Sequence, residues 1–169
     1  MLILRRLLVC LLLPLVFFSG CKVKYSFTGA SISPNVKTVS IKYFPNLSHA
    51  PEPALSDNFT DALRNKFISE TNLSNVRTSG DLQFEGEIVD YFTSYESIVD
   101  DKPARNRLTI TVRVAFVNVG EPLKSFDKRF SKYETFESSQ SIETVKDNLM
   151  RLIVQQLVDD IFLESVANW

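Results

Sequence analysis

The sequence predicts an α+β fold: a two-layer sandwich of about four strands in a mostly antiparallel or mixed sheet, two helices on one face, and the order β-α-β-β-β-α. Three observations carry this. Apolar residues recur every four positions at Leu55, Phe59, Leu63 and Phe67, a helical period. Three successive runs, 82–98, 107–119 and 124–136, have strand-like alternation. A wide apolar stripe from Val145 to Ile161 marks a second, longer helix. Stacking both helices on one side of the sheet is the simplest way to bury their stripes.

The chain opens on a different kind of segment. Arg5 and Arg6 precede an uncharged run from Leu7 to Phe18, and Ser19, Gly20 and Cys21 close it. A positive start, a short apolar stretch and small residues at the exit describe a secretory signal over residues 1–20. A transmembrane helix is the other reading, but spanning takes about 20 apolar residues, and this shorter run contains Pro14. Phe18-Ser19-Gly20-Cys21 resembles the lipobox of bacterial lipoproteins, where cleavage before the cysteine is coupled to its acylation; Phe18 stands where that family usually has Leu. The resemblance implies that Cys21 is the lipidation site. Several acyl chains, at about 0.8 kcal/mol per buried CH₂, make such an attachment essentially permanent. Lys22 follows where an Asp would imply inner-membrane retention in many Gram-negative bacteria, so the expected address is the outer membrane.

Residues 21–36 read as the lipidated N-terminus and a Ser-, Gly- and Pro-containing tether, and 37–169 as one domain. Residues 37–44 alternate, with Val39, Ile41 and Tyr43 on one face, a strand signal. Pro45, Pro51 and Pro53 mark a loop, and Pro53 suits the first turn of the helix that follows, with Asp57 expected there against the macrodipole. Polar residues 72–80 end that helix. In the next run Leu82, Phe84, Gly86 and Ile88 share a face, then the apolar phase shifts to Val89 and Tyr91, which predicts a bulge. Loop 99–106 leads to the clearest strand, where Leu108, Ile110, Val112, Val114 and Phe116 face one way and Thr109, Thr111 and Arg113 the other. Gly120, Glu121 and Pro122 form a turn into 124–136, charged as an edge strand would be. Ser141 is a plausible N-cap for the last helix and Glu143 suits its first turn. Its stripe is wide enough for contact on two sides: with sheet and first helix alone, or with a partner protein as well.

Composition narrows the function. The 169 residues carry 19 basic and 20 acidic side chains, so a globally basic nucleic-acid binder is excluded. His49 is the only histidine, in a Pro-rich loop without a second His or a Cys to complete a metal site. No G-x-S-x-G elbow and no phosphate-cradling loop occur, and the carboxylate pairs Asp100/Asp101 and Asp159/Asp160 are sequence neighbours that rarely converge on one substrate. Nothing points to an enzyme, a metal or a cofactor beyond the lipid on Cys21.

Charge is uneven, however. Between positions 102 and 132 eight basic residues stand against two acids, a net +6 on a chain whose total is −1. Alternation is expected to place Arg107 and Arg113 with the threonines, and Lys128 with Lys132, away from the apolar face. Solvated strand faces guarded by lysine account for such a pattern. So does a phosphate-binding surface, since arginine's fork and lysine's point charge both suit phosphate.

The whole mature chain resembles the LptE family of lipopolysaccharide-assembly lipoproteins. The resemblance rests on the lipoprotein signal, the domain size, the element order, and residues 25–32 (YSFTGASI), 37–45 (KTVSIKYFP), 81–88 (DLQFEGEI), 107–112 (RLTITV) and 157–169 (LVDDIFLESVANW). It implies a non-enzymatic protein on the periplasmic side of the outer membrane, plugging the β-barrel translocon protein LptD and binding lipopolysaccharide. It also implies ligand contact near the loop between the second and third strands, here Lys102, Arg105 and Arg107. Arg113, Lys128 and Lys132 complete the basic set expected to take part. A structural periplasmic lipoprotein that scaffolds an envelope complex without glycolipid is the alternative.

Overall fold

A computed structural model describes residues 32–50, 52–99 and 102–166, with the side chains of all but 97–99 and 102–104. The predicted signal segment, Cys21 and most of the tether lie outside these residues. Five strands form one sheet: β1 (Thr38–Ile41), β2 (Ser74–Val76), β3 (Leu82–Val99), β4 (Lys102–Asn118) and β5 (Phe126–Glu137). Among the described residues two α-helices accompany them, α1 (Pro53–Glu70) and α2 (Ile142–Val166). The strand order is β2-β1-β3-β4-β5, with β1 parallel to both its neighbours and the rest antiparallel. The two-layer α+β expectation holds, and the sheet has one strand more than expected. That strand is β2, three residues within the polar stretch that ends α1. Its side chains are exposed or half-buried, so it has no apolar alternation to betray it.

Each helix forms for a local reason. Pro53 opens α1, where its missing N–H is no loss, and Leu55, Phe59, Leu63 and Phe67 are fully buried. Asp57 falls beyond the first turn, which holds no acid, so its expected match to the macrodipole is not realised. α2 starts directly after Ser141 and carries Glu143 in its first turn. Its stripe is used within the domain. Ile153, Leu157 and Ile161 are fully buried; Phe162 packs on Phe67 of α1 at 5.2 Å, and Lys66 reaches Asp159 at 2.8 Å.

The strands match their patterns closely. Leu108, Ile110, Val112 and Val114 are fully buried, and Phe116 nearly so. The phase shift in β3 is a register shift between Ile88 and Asp90. Gly86 sits where a Cβ would lie 2.0 Å from the Arg113 carbonyl oxygen and 2.7 Å from the Phe44 ring, so only glycine fits. Tyr43 departs from expectation: β1 ends at Ile41, and Tyr43 is exposed beyond it while Phe44 is buried. Loop 99–106 also proves to be largely strand, because β3 and β4 pair out to Val99 and Lys102. At about 3.3 Å per residue that hairpin runs some 55–60 Å. The helices reach only about 27 and 37 Å at 1.5 Å per residue. The hairpin therefore outruns its helical cover, and Tyr95, on the same face as Tyr91, is 71% exposed. At the opposite end, Ile32 and Val36 already pack against the core, ahead of the domain start expected at 37.

Asp81 fastens that end. Its Oδ2 accepts from the backbone N–H of Lys37 (2.8 Å) and Thr38 (2.9 Å) and from the Thr38 hydroxyl (2.9 Å). These bonds, the Lys37 amide first, hold its carboxyl below the ordinary value of 3.8. A depressed carboxylate stabilises the fold above the unfolded-state pKa, and that contribution is lost as pH falls through the folded-state value. Asp81→Asn is expected to be less stable than the parent at pH 7, and the gap should shrink towards pH 2–3. Urea unfolding at both pH values checks this; a constant gap would refute it.

Candidate functional site

Register decides which of the expected basic residues stand together. Opposed residues in an antiparallel pair share a face. Arg113 pairs with Glu87 and Arg129, Arg107 with Ser94 and Thr135, and Arg105 with Ser97 and Glu137. All three arginines therefore lie on the face turned away from the helices, with Thr109 and Thr111 between them as expected. Lys102 begins β4 at the hairpin end, and its side chain lies outside the description.

Lys128 and Lys132 correct the expectation. They pair with Val114 and Ile110, on the apolar, helix-side face. Phe126, Phe130 and Phe136 alternate with them on that same face. An edge strand tolerates such inward charges, because a long side chain can run along the apolar surface and leave over the edge. Both lysines end on α2: Lys128 is ion-paired to Glu164, and Lys132 to Asp160 at 2.7 Å. Glu134, next on this face, accepts from Gln156 at 2.5 Å. These residues clamp α2 to the sheet edge rather than joining the arginine face.

The outer face is a lattice of charges and aromatic rings. Arg113 donates to both carboxylate oxygens of Asp127, at 2.9 and 2.5 Å, and stands 3.7 Å from Glu87. The Asp127 hydrogen bonds and charge hold its guanidinium more firmly protonated than usual. Lys42 meets Glu85 at 2.5 Å beside it. Arg107 is ion-paired to Glu96 and lies 4.0 Å over the Tyr133 ring. Its Nε is buried without a partner. Arg105 donates to Thr135 at 2.6 Å and stands 3.7 Å from Glu137. Phe92 and Tyr133, each about half exposed, flank Thr109 in one cross-strand row. Sequence reading missed Tyr133, Phe92 and Glu96 as members of this surface. Only the register brings them beside Arg107: Phe92 and Tyr133 both pair with Thr109, and Glu96 lies in the displacement between Tyr95 and Ser97.

The surface is suited to binding, with arginines on one face, aromatic rings and hydroxyls between them, and exposed carboxylates, Asp127 and Glu137, as partners of Arg113 and Arg105, while the Arg107–Glu96 pair is half-buried. Exposed ion pairs contribute only about 0–1 kcal/mol, so an incoming phosphate can replace a carboxylate at little cost. Among the described residues no three His, Cys, Asp or Glu side chains converge as a metal site, and no helix is long and apolar enough to cross a membrane.

Comparison with known proteins gives the chain a family. The model of the LptE family, described as lipopolysaccharide assembly, matches residues 36–164. Among solved structures, a hypothetical protein from Chlamydia trachomatis superposes with a TM-score of 0.55 at 11% identity, covering 79% of this chain and 98% of that one. A minor lipoprotein from Acinetobacter baumannii gives 0.50 at 12% identity, covering 75% and 90%. At such identities these two speak for the fold alone. No curated protein matches the chain. The family match spans the sheet, both helices and the arginine face, and on it the chain belongs to the LptE family of lipopolysaccharide-assembly proteins.

Proposed function

We infer that this chain is an outer-membrane lipoprotein that binds lipopolysaccharide and assists its assembly as the plug of an LptD-like β-barrel. It is held on the periplasmic side by acyl chains on Cys21. It is not an enzyme, needs no cofactor beyond that covalent lipid, and has no nucleic-acid partner. The observation that carries the ligand is the outer face: Arg105, Arg107 and Arg113 on one strand, with Lys102 towards the hairpin end. Lipid A and core sugars present phosphates to such forks, and the Tyr133 ring, 4.0 Å from the Arg107 guanidinium, helps to hold it on this face.

Replacing Lys102, Arg105 and Arg107 together by Glu is expected to lower capture of purified lipopolysaccharide at least about tenfold, the equivalent of one charge-assisted contact. Circular dichroism should be unchanged, and parent binding should weaken with salt. Unchanged capture by the folded variant would sink the ligand assignment.

The pairing of Arg105, Arg107 and Arg113 with carboxylates favours a second reading, a scaffold lipoprotein without glycolipid. Such a protein would capture no lipopolysaccharide at any salt concentration.

A further inference from the structure

The outer face changes character along the hairpin. Phe92 and Tyr133 flank Thr109, since both pair with it across β4. The row before this one is Asp90, Thr111 and Ser131, and the row after it is Ser94, Arg107 and Thr135. Strands stand about 4.8 Å apart and same-face neighbours about 6.7 Å apart along a strand, so the three rows cover roughly 10 by 13 Å. No Val, Leu, Ile or Met stands in them. Two half-exposed aromatic rings are set instead among five Ser and Thr hydroxyls, one carboxylate and one guanidinium.

This composition discriminates between the parts of a glycolipid. An acyl chain needs continuous apolar surface, and laying one here would take the hydroxyls and Asp90 out of water without partners. A sugar ring suits both kinds of group. Its C–H face packs on an aromatic ring, and its rim of hydroxyls exchanges hydrogen bonds with Ser, Thr and Asp. Thr109 is small and lies between two rings whose backbones stand about 10 Å apart, which makes a notch with aromatic walls and a hydroxyl floor. Arg107 already covers Tyr133 at 4.0 Å, while among the described residues no ring or cation stands over Phe92. The charges add a direction. Asp90 has no ion-pair partner among the described residues and repels phosphate, whereas Arg107 and then Arg105 attract it at the other end.

We propose that this patch is a saccharide subsite, in which a pyranose ring stacks on Phe92 against Tyr133, bonds Asp90 and Thr109 through its hydroxyls, and directs its phosphate towards Arg107. The ligand class is the phosphorylated sugar head of a glycolipid, and the acyl chains are not held here. The proposal rests on the lipopolysaccharide reading above and adds which part of that ligand this face takes. Phe92 contributes a flat ring, so apolar bulk of another shape does not replace it.

The test measures the affinity of the full mature chain, purified from membranes in detergent, for two probes. One is intact lipopolysaccharide; the other is the same molecule stripped of every acyl chain, which keeps its sugars and phosphates. The parent should bind both. Phe92→Leu should weaken binding of the deacylated probe about three- to tenfold, the range for one aromatic stacking contact, and Phe92→Tyr should retain it. Circular dichroism should be unchanged in both variants, since Phe92 lies outside the core. A parent that binds only intact lipopolysaccharide would overturn the saccharide subsite and leave the lipopolysaccharide reading standing. A Phe92→Leu variant that binds the deacylated probe as the parent does would also overturn the subsite, because apolar bulk would then suffice. Binding of neither probe by the folded parent would overturn the subsite and the lipopolysaccharide reading together.

Discussion

Replacing Phe67 by alanine should destabilise the domain by about 3–5 kcal/mol, the range for deleting a buried aromatic ring. Phe67 is fully buried and joins three elements at once. Its ring stands 4.8 Å from Phe84 of β3 and 5.2 Å from Phe162 of α2. The chain of rings continues from Phe84 to Phe116 at 4.8 Å, to Phe126 at 5.1 Å and to Phe130 at 6.0 Å, crossing the sheet to its edge. Alanine would open a cavity beneath both helices, where the large neighbours on every side limit collapse. A small domain is stable by only about 5–15 kcal/mol, so the variant should unfold at much lower urea. Phe92→Ala is the matched control, because Phe92 lies half exposed on the outer face and should cost far less. Equal effects from the two substitutions would contradict this placement of the core.

The second large effect concerns attachment rather than folding. Cys21→Ser is expected to leave an uncleaved or mislocalised precursor, because serine offers no thiol for acylation. Essentially all of the mature, membrane-bound form should disappear on fractionation. The domain itself should fold unchanged, since its described core begins at Ile32 and Val36. Normal processing and membrane fractionation of this variant would refute the lipoprotein assignment.

Much of the fold was legible because burial here follows period. The four-residue spacing from Leu55 to Phe67 and the alternation from Leu108 to Phe116 each correspond to fully or nearly fully buried residues. The phase shift after Ile88 corresponds to the bulge. What could not be read lacked a period or depended on a neighbour. β2 is three exposed or half-buried residues held in place by β1, without an apolar face of its own. Alternation within 124–136 reads Lys128 and Lys132 as turned away from the apolar face, although they stand in phase with Phe126, Phe130 and Phe136; the structure follows that phase and joins them to α2. On the arginine face, alternation correctly joined Arg107 and Arg113. The aromatic and acidic neighbours of Arg107 depend on pairing register across three strands, which no single strand encodes.

The most direct test is a crosslink formed in the native envelope. A benzophenone amino acid in place of Tyr133 would sit on the outer face beside Arg107, half exposed and close in shape to the ring it replaces. On illumination, the expected product is an adduct carrying lipopolysaccharide. A folded, membrane-attached variant that yields no lipopolysaccharide adduct from this position would contradict the assignment of the outer face as the ligand surface.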